Sequence, residues 1–218
     1  MKITMIGLAG AGKDTSALIL QRVLAEQGYK FEIERFAKPL KTAAERVFGK
    51  DFDDRDFKEV PVKVNQDRMI EATFDCLHSL KFTEAEHEQA SELFFEHLGF
   101  KPVLSPREYQ QVLGTEVVRT VRQSAWVDRL KNVTDRNLII TDTRFENEVQ
   151  YTNILVRRFE NLDRPKHPSE HLAWDLQFTG KTLPVDVFDL DNHRPNTLDT
   201  LEDNIRELVS MFNFNGVK

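Results

Sequence analysis

The sequence predicts an α/β fold: a parallel sheet with helices on both faces, three layers in all, and a helical insertion. Three observations carry this. Strand and helix patterns alternate through residues 1–50. Residues 51–103 lose the strand patterns and become charged and helical. Beyond them, apolar strand-like runs return among helical and polar stretches. Parallel strands joined this way need crossover connections, which run right-handed and lay helices on the sheet faces.

The elements follow in order. "KITMIGLA" reads as a buried parallel strand entering a glycine-rich turn. "TSALILQRVLAEQ" places Ala17, Leu20, Val23 and Leu24 on one helical face, and Gly28 ends it. "FEIERFA" (31–37) is a second strand. Pro39 then opens a helix with Leu40, Ala43, Ala44 and Val47 at i, i+3, i+4, i+7 spacing, stopped by Gly49.

After the charged link "DFDDRDFKE", two helices carry Met69, Ala72, Cys76, Leu77 and Leu80, then Ala90, Leu93, Phe94 and Leu98. Thr83 and Glu86 have capping-box spacing before the second. Ser105, Pro106 and Glu108 start another helix as N-cap, first helical residue and capping-box acid. "NLIITDTRF" (137–145), "ILVRRF" (154–159) and "VDVFDLD" (185–191) are strands, and Leu198, Leu201, Ile205, Leu208 and Phe212 line a final helix. The segments are therefore 1–50 and 104–218 as two halves of the core, and 51–103 as the insertion. A polar, lid-like stretch spans 160–182.

Composition narrows the function. A net charge of −6 argues against a general nucleic-acid binder, which carries a basic surplus. The single cysteine, Cys76, precludes a disulfide within the chain and makes a cysteine zinc site implausible. His167 and His171 lack a ligand pattern around them. The apolar run Ile3–Leu8 is too short for a signal sequence, and no stretch approaches the roughly 18 apolar residues of a membrane span. The expectation is a soluble cytoplasmic protein with no membrane partner.

Gly7-x4-Gly12-Lys13 has Walker A spacing, between a first strand and a first helix as that motif requires. Gly10, Ala11 and Gly12 let successive N–H groups point into one concavity, the helix N-terminus adds partial positive charge, and Lys13 reaches the terminal phosphates. ATP is the expected ligand. Asp14 stands where the motif has a hydroxyl that ligates Mg²⁺. As a hard oxygen ligand it holds Mg²⁺ directly or through water, with Thr15 as a substitute hydroxyl, or it only complements the helix dipole. Asp142, at the C-terminal end of an apolar strand, suits the outer partner of that magnesium.

A second anion site is suggested by the helix from Pro106. Arg107, Gln111, Gly114 and Thr115 share its face opposite Tyr109, Val112, Leu113 and Val117. Arginine grips a phosphate, glutamine reads a base edge, and glycine admits a ring; a plain surface face is the alternative. Arg144 and Glu148 either pair at i, i+4 or put Arg144 beside a transferred phosphate. Trp126 stacks on a base or fills the core, and the residues alone favour the core. Arg157 and Arg158 close a strand before the polar stretch, where arginines shut over a triphosphate or merely lie on the surface.

"GLAGAGKDT", "SPREYQQVLGTEVVR", a following "WV" and "IITDTRFENEV" resemble, in that order, the phage deoxynucleoside monophosphate kinases. The likeness covers most of the chain and is loose over 51–103. It implies a P-loop kinase fold, a homodimer, and Mg²⁺-dependent transfer of the ATP γ-phosphate to a dNMP, giving ADP and a dNDP. It assigns Ala11, Lys13, Asp14 and Thr15 to the donor loop; Arg107, Gln111, Gly114, Thr115 and Trp126 to the acceptor site; and Asp142, Arg144 and Glu148 to the catalytic segment. Trp126 thereby moves from core to site. Two departures stand out: Ala11, where relatives often have serine, and Glu108, where a basic residue can occur. Rival readings are a kinase of another phosphorylated acceptor, such as phosphomevalonate, and a regulatory ATP-binding module.

Overall fold

The computed structural model describes residues 1–54, 56–149, 152–158, 164–192, 197–212 and 214. In chain order the elements begin β1 (Lys2–Ile6), α1 (Lys13–Glu26), β2 (Phe31–Glu34), α2 (Lys38–Phe48), β3 (Val62–Lys63), α3 (Gln66–Ser79) and α4 (Glu84–His97). There follow β4 (Val103–Leu104), α5 (Pro106–Gln111), a π-helical continuation (Val112–Arg119), α6 (Ala125–Lys131) and β5 (Asn137–Thr143). The last are β6 (Thr152–Arg157), α7 (His171–Phe178), β7 (Val187–Asp191) and α8 (Leu198–Ser210). They form two units, Met1–Phe36 with Asn132–Lys218, and Ala37–Lys131.

The first unit is an α/β sandwich. Its five strands are all parallel, in the order β2-β5-β1-β6-β7. Ile3 of β1 pairs with Ile139 on one side and Thr152 on the other. Such strands are buried on both faces, which is why β1 and β5 read as near-continuous apolar runs rather than alternating ones. Ile3, Met5, Ile154 and Val156 face one way, packing with Leu20 and Val23 of α1 and Leu201 and Ile205 of α8. Ile6 and Leu155 face the other way, against Leu172, Ala173 and Leu176 of α7. Helices therefore cover both sides of this sheet. β1 sends its connection towards β2, whereas β6 sends its own towards β7. The C-terminal end of β1 consequently lies at a reversal of strand order, where open α/β sheets collect ligands.

The second unit is helical, apart from the short antiparallel pair β3–β4. Its core includes Met69, Cys76, Leu77, Phe94, Leu98, Tyr109 and Leu113, all buried. The Tyr109 hydroxyl and Thr73 Oγ1 share a hydrogen bond of 2.9 Å there. α2 packs along α3 and so belongs to this unit, as does the chain from Ala37 to Lys131. The sequence boundaries at 51 and 103 differ from these because an amphipathic helix reveals which face it buries, not against what. Thr83 and Glu86 form the full capping box. At Ser105 only half forms: Oγ accepts the Glu108 N–H at 3.1 Å, while the Glu108 carboxylate pairs with Lys101 at 2.8 Å.

Of the lid-like stretch, 160–163 lie outside the described residues, as does Phe159 of the expected strand 154–159. The remainder includes α7, whose apolar side packs into the core beneath β1 and β6.

Candidate functional site

Two positions of the turn after β1 leave no room for a side chain. A Cβ on Gly7 would stand 2.9 Å from the Val156 carbonyl oxygen, and one on Gly12 only 2.5 Å from Asn192 Nδ2. Gly12 also has φ +93°, and Gly10 φ +78°, angles that L-residues rarely adopt. The turn is braced from behind: Asn192 Nδ2 donates to the Ala11 carbonyl at 2.7 Å and Arg158 Nη1 to the Gly10 carbonyl at 3.0 Å. The first backbone bond of α1 runs from Ser16 N–H to the Gly12 carbonyl at 2.9 Å. The preceding helical N–H groups thus have no acceptor within the helix and sit at its partially positive end. A glycine-rich turn with no room for a Cβ at Gly7 or Gly12, opening on a helix N-terminus, fits a chain of phosphates.

Lys13 stands at that helix start. Its Nζ donates to the Gly7 carbonyl at 2.8 Å and the Leu8 carbonyl at 2.9 Å. Burial first, and the nearby Arg144 charge second, bring its pKa down to about 8, against the opposing pull of Glu170, Asp14 and Asp142. These groups, distant in sequence, therefore share one electrostatic neighbourhood. Asp14 is open, its side chain 64% exposed, and accepts from Arg35 Nη2 at 2.9 Å. Thr15 beside it is exposed. Asp142 accepts the Phe36 N–H at 2.7 Å through Oδ1. Among the described residues no group of three or more His, Cys, Asp or Glu could hold a metal by itself. A magnesium ion carried by phosphates and water takes only one or two carboxylates from the protein.

Arg144 and Glu148 do not pair through their side chains as the i, i+4 alternative expects. Glu148, buried, accepts the backbone N–H groups of Arg144 at 2.6 Å and Phe145 at 3.2 Å. It closes the turn after β5 and fixes the backbone that carries Arg144. The Arg144 guanidinium meets Glu170 instead, Nη1 to Oε1 at 2.5 Å. Burial opposes the charge of each, but their mutual attraction outweighs it: the Arg144 pKa rises and that of Glu170 falls. Glu170 Oε2 accepts the Ala9 N–H of the glycine turn at 3.0 Å.

Glu170, Arg35 and Asn192 escaped the sequence reading. Glu170 lies in the polar run "HPSEH", which shows no periodicity to mark it. Arg35 follows a strand in "ERF", where a terminal arginine is unremarkable. Of the two arginines at the end of β6, Arg158 is the one that reaches the glycine turn. Arg157 binds Asp189 at 2.7 Å through Nε and the Gln177 carbonyl at 3.4 Å through Nη1.

Arg107, Gln111, Gly114, Thr115 and Trp126 all lie in the second unit. Arg107 forms an ion pair with Glu59 through Nε, and its backbone N–H donates to the Lys58 carbonyl at 2.9 Å. Gln111 and Thr115 are half-buried. Gly114 is buried, and a Cβ there would come 2.9 Å from Leu40 Cδ2. Trp126 is 2% exposed, and its indole N–H donates to the Gly114 carbonyl at 3.1 Å. The cause of this arrangement is the π-helical turn. Each residue advances less around a π-helix than around an α-helix, so an i, i+4, i+7 face drawn from Arg107 loses its register after Gln111. Gly114 rolls inward and its carbonyl is taken by Trp126.

Neither a model of any known protein family nor a curated protein sequence matches the chain.

Proposed function

We propose that the chain is a P-loop kinase that transfers the γ-phosphate of ATP to deoxynucleoside monophosphates, yielding ADP and dNDP with Mg²⁺ as cofactor. The observation that carries the reading is the glycine turn after β1: it opens on α1 beside Lys13, with Arg144 and Asp142 in the same electrostatic neighbourhood. The ordered motifs shared with phage deoxynucleoside monophosphate kinases supply the acceptor class.

Phosphoryl transfer asks mainly for alignment and charge neutralisation. The N–H groups of the turn and α1 cradle the donor's phosphates. Lys13 exchanges its two carbonyl partners for phosphate oxygens, and its charge meets the negative charge that develops as the γ-phosphoryl departs. Arg144, whose backbone is fixed by Glu148, bridges donor and acceptor phosphates. Arg107 leaves Glu59 to clamp the acceptor phosphate, a stronger anion than the carboxylate. Asp14, Thr15 and Asp142 would hold magnesium, which neutralises phosphate charge when bound. The acceptor phosphate is already ionised near neutral pH, so no strong general base is needed. The same resemblance implies a homodimer acting in nucleotide supply for phage DNA synthesis, and the lack of a signal or membrane-span pattern in the sequence points to the cytoplasm.

The test is a panel of acceptors with ATP and Mg²⁺, following ADP. The reading expects release with dNMPs. Release only with other phosphorylated metabolites reassigns the enzyme to another acceptor class, and acceptor-independent hydrolysis makes it a regulatory ATP-binding module.

A further inference from the structure

We propose that Glu170 is a donor-site residue whose carboxylate competes with the donor's terminal phosphate for the Ala9 N–H and the Arg144 guanidinium. The inference rests on reading the glycine turn as a polyphosphate site, but not on the identity of the acceptor. Two donors converge on this side chain: the Ala9 N–H, within the turn between Gly7 and Gly12, and the guanidinium of Arg144. Both are groups that a γ-phosphate would use. Glu170 is 7% exposed, so it is a built part of the site rather than a passing surface contact.

Its seat is firm. Glu170 ends a short 3₁₀ turn, Pro168–Glu170, with its N–H on the His167 carbonyl at 3.1 Å, and the Ser169 N–H on His167 Nδ1 at 3.2 Å. α7 follows at once, and its Leu172, Ala173 and Leu176 pack with Ile6, Leu8 and Leu155. Leu8 belongs to the glycine turn itself, so the carboxylate and the turn share one apolar foundation.

The electrostatics explain why an acid belongs there. Lys13 and Arg144 repel one another, and Glu170 offsets both charges. A triphosphate offers the same kind of acceptor oxygens with more charge. It therefore competes for the Ala9 N–H and for Arg144, and it is repelled by a carboxylate that stays behind. Glu170 thus relieves the repulsion between Lys13 and Arg144 and weakens polyphosphate binding. The opposite role, a residue that presents Arg144 to the phosphate, makes the opposite prediction on loss of the charge.

The experiment measures binding of inorganic tripolyphosphate, and of ATP without acceptor, by calorimetry for wild type and Glu170→Gln. Removing a full negative charge next to the bound phosphate should tighten tripolyphosphate about tenfold, and the ligand-free variant should melt below wild type. Unchanged or weaker binding in a folded variant overturns the proposal. If Glu170→Gln fails to fold, a crystal structure of wild type with tripolyphosphate decides. A phosphate oxygen on Ala9 N–H with Glu170 withdrawn supports the proposal, and the Ala9–Glu170 bond retained beside bound tripolyphosphate overturns it. Tight binding by wild type with no dNMP phosphorylation leaves this inference standing while removing the proposed acceptor; absence of polyphosphate binding in wild type and variant alike overturns both.

Discussion

Gly12→Ala probes the phosphate turn with a single added carbon. Two separable costs arise. Gly12 has φ +93°, where an L-residue is strained by ~1–2 kcal/mol. The new Cβ would also stand 2.5 Å from Asn192 Nδ2, closer than atoms can approach. Asn192 must then retreat and release the Ala11 carbonyl, now held at 2.7 Å, a loss of ~0.5–1.5 kcal/mol. The total is roughly 1.5–3.5 kcal/mol. Gly28→Ala separates the two: its φ is +86°, yet no atom lies within 4 Å of the added carbon, so it carries the strain alone. Asn192→Ala removes the hydrogen bond without adding bulk. In the double variant Gly12→Ala/Asn192→Ala the clash is absent, so the effects should be less than additive. Urea midpoints of the four variants against wild type give the stabilities, and calorimetry with ATP gives the function. Gly12→Ala should lose ATP binding at least tenfold, whereas Gly28→Ala should keep it. Equal stability losses in Gly12→Ala and Gly28→Ala, or intact ATP binding in the former, would refute the geometry assigned to this turn.

Four other outcomes follow from the same structure. Asp14→Asn should keep the fold, because the side chain is open, and lose most of its Mg²⁺-dependent turnover; a near-normal kcat would remove Asp14 from the mechanism. Glu148→Gln weakens two hydrogen bonds that a buried carboxylate makes to backbone N–H groups, so urea unfolding should show a loss of about 1–2 kcal/mol; an unchanged midpoint contradicts its role in the turn. Trp126→Phe should lower stability by about 1 kcal/mol through the lost bond to the Gly114 carbonyl. A higher dNMP KM at unchanged stability would instead mark the indole as a base-stacking platform. Burial pushes the Cys76 thiol up to about 12, so a thiol reagent at pH 8 should label it only on unfolding; fast labelling of folded protein would show the helical unit's core to be open.

The residues that were legible in sequence are those whose causes are local. The glycines of the turn, the apolar run of β1, Gly28 after α1 and the Thr83–Glu86 box each act within a few residues, and each stands where its pattern puts it. What escaped depends on the folded chain. Glu170 reaches Ala9 only because α7 packs beneath β6, a contact no spacing encodes. Arg158 rather than Arg157 touches the turn because alternate residues leave a strand on opposite sides, and the sequence does not say which side is which. The π-helical turn at 112–119 shifts Gly114 inward, against a face drawn with α-helical periodicity. Glu148, for which a side-chain pair with Arg144 is one alternative and a place in the catalytic segment the other, accepts backbone N–H groups of its own turn. Acids at such turns compete for N–H groups close in sequence.

The central claim is that one phosphoryl group passes from ATP to a nucleoside monophosphate on this chain. Incubation with ATP labelled in its γ-phosphate, Mg²⁺ and each dNMP, followed by separation of the nucleotides, tests it most directly. The account predicts label in the β-phosphate of dNDP, abolished by Lys13→Ala and by Arg144→Ala. Label recovered only as inorganic phosphate, or remaining in ATP with every dNMP, would contradict it.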